Sequence, residues 1–177
     1  MKYEGGKIMG AWGIKSKESD AGLNVLGVII RENLKKKDFR DFDIKEILDF
    51  LKSHITDKVN HENRHCENDE EAAYYFNEIF PDRYAEAVLL VSECLTEFLQ
   101  SGEFVFNTFE NAEPTERKIK TFVYSTYDLK NLLPDLRTAI ENQKEATEWF
   151  EESNAEKWKA HVEDMYTTIE NEFKRLE

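Results

Sequence analysis

Tyr84-Ala85-Glu86-Ala87-Val88-Leu89-Leu90-Val91-Ser92-Glu93-Cys94-Leu95-Thr96-Glu97-Phe98-Leu99 is the stretch on which the fold turns. On a helical projection its apolar side chains run nearly all the way round, and a helix of that kind lies inside a molecule. Pro81 suits the first turn of such a helix, and Gly102 suits the left-handed position that ends one. Glu86, Glu93, Glu97 and Gln100 mark a narrow polar edge. Glu93 stands out because it lies between Val91 and Leu95, where an unpaired carboxylate is costly. Two readings follow. Either Glu93 shares a solvated edge with Glu86 and Glu97, or it is covered and holds the N–H groups of the segment Gly10-Ala11-Trp12-Gly13.

A buried central helix requires other helices around it, and the flanking sequence supplies them. Upstream, Asn68 with Glu71 forms a capping box before Ala72, Tyr75, Phe76 and Ile79, a short helix ending at Pro81. Residues 60–68 are polar apart from Cys66 and read as a loop. Before them, a short turn leads to Asp43, which caps a helix with Glu46 as its box partner and with Phe42 stapled onto Ile47. Ile44, Ile47, Leu48, Leu51, Ile55 and Val59 give that helix one apolar stripe. Ser19 or Asp20 caps a first helix carrying Leu23, Leu26, Ile30 and Leu34. Lys35, Lys36 and Lys37 follow where the helix dipole favours cations.

Downstream the chemistry changes. Phe104-Val105-Phe106 and the stretch from Ile119 are aromatic and β-branched, which predicts a hairpin over residues 103–109 and 118–126 across a 111–117 loop. Two strands are marginal alone, so they must lie on helices. Helix resumes after Leu133 with Pro134 in its first position, carrying Leu136, Ala139, Ile140 and then Trp149. Ser153 with Glu156 opens a last helix striped by Trp158, Val162, Met165, Ile169, Phe173 and Leu176. There is no internal repeat and no linker. The expectation is a mostly α protein, a single helical domain over residues 9–177 of about six helices with one small β-hairpin.

Composition narrows the function classes. No apolar run approaches the roughly 20 residues of a membrane span, and the N-terminus lacks a basic segment followed by an apolar one. Met9-Gly10 puts Ile14 where a myristoylation motif needs Ser or Thr. The two cysteines, Cys66 and Cys94, form neither a metal knuckle nor a disulfide framework, which suits a reducing cytoplasm. The net charge of −13 repels phosphate backbones and argues against nucleic acid. It favours a basic partner, or serves solubility alone.

One string looks catalytic. His61-Glu62-Asn63-Arg64-His65 matches H-E-x-x-H, where histidines one helical turn apart bind zinc and the glutamate activates water. That chemistry needs a rigid, partly dry helix, whereas no apolar periodicity continues through this string, so it reads as a solvated loop. His54 and His161 read as histidines at the edge of the core. No Gly-x-Ser-x-Gly elbow and no phosphate-binding glycine loop is present.

At the N-terminus, Glu4-Gly5-Gly6-Lys7 can be encoded by the purine-rich signal that bacterial ribosomes use, a few nucleotides ahead of Met9. Residues 1–8 are therefore expected to be a dispensable extension, Met9 being the natural start; the alternative is a plain N-terminal tail. Trp12, bracketed by Gly10 and Gly13, is expected to be buried and structural.

Met9-Gly10-Ala11-Trp12-Gly13 followed by Glu18-Ser19-Asp20-Ala21-Gly22-Leu23 resembles the opening of a bacterial family, domain of unknown function 4259. Its members begin Met-Gly-Ala/Thr-Trp-Gly and enter the first helix through an acidic Asn/Ser-Asp signature. Ser92-Glu93 ahead of Gly102 is similar to that family's glutamate-bearing helix, and Trp149, Ser153 and Trp158 to its closing region. The resemblance implies a mostly helical fold, singles out Trp12, Gly13, Asp20 and Glu93, and implies no activity. The sequence thus predicts a non-enzymatic acidic protein-binding module without a cofactor, such as an immunity or inhibitor protein docking a basic partner. The rival expectation is a metal-dependent hydrolase using His61, Glu62 and His65.

Overall fold

The structure, a computed structural model, describes residues 25–29, 41–63, 80–110, 113–141 and 152–177. The described part is mostly helical, as its periodicity predicts. Residues 25–29 are helical. Strand β1 is Asp41–Asp43 and runs straight into helix α1, Ile44–Asn63. Helix α2 is Phe80–Ser101. Strands β2, Phe104–Glu110, and β3, Glu113–Ile119, form an antiparallel hairpin. Strand β4, Thr121–Val123, pairs in parallel with β1 and leads into helix α3, Thr126–Glu141. Helix α4 is Glu152–Leu176.

One apolar cluster joins all of these elements, and α2 is at its centre. Ala87, Val88, Leu90, Val91, Cys94 and Leu95 of that helix are buried, in contact with a shell drawn from α1, α3 and α4. Lys52 of α1 lies over the ring of Tyr84 at the start of α2. α2 ends as expected: Gly102 takes a φ of 80°, and its N–H donates to the Phe98 carbonyl at 2.7 Å.

The α1 cap forms as read. The Glu46 N–H donates to Asp43 Oδ1 at 2.9 Å, and Phe42 and Ile47 are both buried. The helix continues further than expected, through Asn63, so residues 60–63 are not loop. Asn60 and His61 are exposed and need no apolar neighbour, and periodicity therefore stopped reporting before the helix did. In the first helical segment Leu26 is buried as expected, and Ile29, off the expected stripe, is buried too.

The β region departs most from expectation. The second hairpin strand is Glu113–Ile119, in the stretch read as loop, with Phe104 opposite Ile119 and Glu110 opposite Glu113. Charges and Pro114 look like loop chemistry, yet edge strands tolerate both. The residues given to the second strand instead leave the hairpin: Phe122 faces inward and stacks on Phe42 at 4.7 Å between ring centroids. β1, read as a turn, exists because β4 pairs with it.

α3 likewise begins eight residues before Pro134. Ser125 and Asp128 cap it reciprocally, the Ser125 N–H donating to Asp128 Oδ2 at 2.8 Å and the Asp128 N–H to Ser125 Oγ at 3.3 Å. Pro134 is thus inside the helix, where its missing N–H costs one backbone bond to Lys130. α4 carries its stripe as read, with Val162, Met165 and Ile169 buried, except that Leu176 is exposed. It starts at Glu152, one residue ahead of the expected Ser153 cap. The expected helix at Ala72, Tyr75, Phe76 and Ile79, and Trp149, lie outside the described residues.

Candidate functional site

Glu93 is 1% exposed, which decides between its two readings in favour of burial. Its Oε2 lies 3.3 Å from Nε2 of His161 on α4. Two turns further along α2, Gln100 Nε2 donates to Asp164 Oδ2 at 3.0 Å and reaches Thr168 Oγ1 at 3.5 Å. Both sequences ascend together, so α2 and α4 run parallel, and the polar edge read from α2 is where α4 docks. His161 keeps 19% of its side chain exposed, a core-edge histidine as expected. Helix packing alone thus places a carboxylate against an imidazole. The segment Gly10-Ala11-Trp12-Gly13, which Glu93 was expected to hold, lies outside the described residues.

Carboxylate and imidazole together are the orienting half of a hydrolytic triad. The hydroxyls nearest in sequence, Ser92 and Thr96, sit one turn apart on α2 and are buried without a hydrogen-bond partner among the described residues. Neither donates to the His161 ring, so these two hydroxyls form no nucleophile–base pair with it. Cys94 is buried and in no disulfide, a small side chain of the core.

The second polar centre joins Tyr124, the residue after β4, to α4. Tyr124 donates its hydroxyl to Glu172 Oε1 at 2.6 Å, and Arg175 grips the same carboxylate through Nε and Nη2, both at 2.6 Å. The guanidinium bonds hold the Glu172 carboxyl below the ordinary glutamate range. Burial first, then the bond to Glu172, push the Tyr124 hydroxyl up to about 12. An open depression of about 290 Å³ adjoins this cluster, lined by Leu99, Thr168, Asn171, Glu172 and Arg175. Along α4, Arg137 Nη2 donates to the Tyr166 hydroxyl at 2.5 Å, and Tyr166 to Glu170 at 3.3 Å. Tyr124 pairs with Glu172 and Arg137 with Tyr166, so α3 runs antiparallel to α4.

The H-E-x-x-H string is divided. His61 is exposed in the last turn of α1. Glu62 is in the same turn, and His65 lies outside the described residues, as do Trp12, Gly13 and Asp20. Among the described residues no three His, Cys, Asp or Glu side chains gather as a metal site would require. No helix of the described residues is long and apolar enough to cross a membrane.

Sequence reasoning missed His161 as the partner of Glu93, and the Tyr124–Glu172–Arg175 cluster altogether. A signal existed for the first: His161 adjoins Val162 on the apolar stripe of α4, as Glu93 adjoins the buried face of α2. The second pairs residues 48 apart through the fold alone. Comparison of the chain with protein-family models, with curated proteins and with solved structures finds no match.

Proposed function

We propose that this chain is a non-enzymatic, cytoplasmic, acidic protein-binding module of the family its opening resembles, acting as an inhibitor or immunity protein on a basic partner. The observation that carries the reading is the net charge of −13. Such a surface accelerates encounter with a cationic protein and suppresses encounter with nucleic acid. Supporting it, the polar groups inside the described core hold elements together: Glu93 with His161 joins two helices, and Glu172 with Tyr124 joins α4 to the end of β4.

The test is genetic and biochemical together. The gene adjacent to this one is expressed alone and with this chain, if its product is basic. The reading expects toxicity or enzymatic activity of that product to be suppressed, with a complex that dissociates as salt rises. A neighbour that is not inhibited and forms no complex counts against it. The continuation of α1 through Asn63 favours a second reading, a metal-dependent hydrolase, to the extent that it sets His61 and Glu62 on a helix. Zinc content of untagged protein, with His61→Ala as control, distinguishes the two: stoichiometric zinc lost in the variant supports the hydrolase.

A further inference from the structure

Among the described residues three large apolar side chains are well exposed: Val123 at 48%, Tyr127 at 67% and Leu176 at 39%. Two of them share one corner. Val123 ends β4, with Asp43 opposite it in the parallel register, and Tyr127 lies in the first turn of the helix that follows. Phe122 points into the core, which turns Thr121 and Val123 outward. The same corner is acidic. Asp49 first, by its hydrogen bond, then Asp128 and Asp43 all hold the Lys45 ammonium in its charged form, which places the three carboxylates within electrostatic reach of one lysine. Glu46 is exposed beside them, and two exposed cations flank the corner in sequence, Lys120 just before β4 and Lys130 one turn beyond Tyr127. Lys45 itself is bound by Asp49 at 2.7 Å.

We infer that the outer face of the β1–β4 sheet, centred on Val123 and Tyr127 and rimmed by Asp43, Glu46 and Asp49, docks a cationic segment of a protein partner bearing an apolar side chain. The inference rests on the basic-partner reading above and locates its surface. An exposed aromatic ring is the usual anchor of a protein interface, and a rim of one charge sign selects the partner by steering. Val123 and Tyr127 set apolar surface beside those carboxylates, the combination that an apolar and cationic segment complements.

The test uses the full chain, isotope-labelled, with a lysine–leucine peptide as probe and a glutamate–leucine peptide as control, at low and high salt. Amide shift changes are expected to concentrate on Asp43, Glu46, Thr121, Val123 and Tyr127. Val123→Ser and Tyr127→Ser should each weaken binding about tenfold, or about 1.4 kcal/mol, with the melting temperature unchanged. Leu176→Ser should leave binding as it was. If the peptide binds with salt sensitivity but its shifts spread over the acidic surface and the serine variants bind normally, the docking face is wrong and the basic-partner reading survives. If the lysine–leucine peptide does not bind even at low salt, both fall.

Discussion

On one flank of α2, Phe98 meets Phe122, which stacks in turn on Phe42 across the β1–β4 sheet; on the other flank, Glu93 meets His161 of α4. Both contacts are buried and both join distant parts of the chain. The aromatic flank gains from every square ångström removed from water and needs no particular atom opposite. The polar flank gains little net energy but is costly if either partner is lost, because the other polar group is then left uncompensated. The first kind of contact supplies stability; the second fixes which face of α4 meets α2.

Truncating the shared ring should give the largest effect. Phe122→Ala removes contacts to Phe42 and Phe98 together and is expected to cost about 3–5 kcal/mol in chemical denaturation. A loss below about 1 kcal/mol would mean that the ring stack is not where the core is held.

On the polar flank, Glu93→Ala is expected to cost about 1–3 kcal/mol, and Glu93→Gln less, because the amide still bonds to the imidazole. Replacing both partners by leucine should cost less than either single alanine change, since no buried charge remains. If the double leucine variant is the least stable, the pair contributes net energy and the contrast between the flanks disappears.

A pH scan sharpens the contrast at the other polar centre. Glu172 titrates below its ordinary range in the folded state, so it contributes stability that is present above the unfolded glutamate value, about 4.3, and is lost as pH falls through the folded value. Glu172→Gln should therefore flatten the acid limb of the stability curve below about pH 5 and leave its slope near neutrality as in the parent. An unchanged acid limb would place the titration elsewhere.

The smallest effect should come from the solvated end of the seam. Gln100→Ala removes the bonds to Asp164 and Thr168 in an exposed setting and should cost under about 1 kcal/mol by thermal melting. A cost equal to that of Glu93→Ala would show that burial does not set the scale.

The α helices were legible where an apolar stripe or a cap announced them. Asp43 with Glu46 located the start of α1, and the glycine at 102 located the end of α2. What escaped was structure defined by a partner remote in sequence. β1 and β4 are three residues each and exist because they pair with each other. Pro134 drew the start of α3 forward, although Ser125 with Asp128 was a capping box in plain view and proline inside a helix is a tolerable cost when the flanking turns are packed. Burial of Glu93 was among the readings its neighbours suggested; His161 was not, because a helical projection reports which face is covered and not what covers it. The H-E-x-x-H reading met the same limit, since polar residues in the last turn of a helix resemble a loop.

The assignment of Glu93 and His161 to architecture, and with it the reading of a binding protein, is tested most directly by a double-mutant cycle. Stabilities of Glu93→Ala, His161→Ala and the double variant are measured by denaturation and compared with the parent. The account predicts a coupling of about 1 kcal/mol or more, within the range of about 0.5–3 kcal/mol for contacting polar residues. Additivity within about 0.5 kcal/mol would contradict it, because two independent side chains cannot be what holds α4 in register on α2.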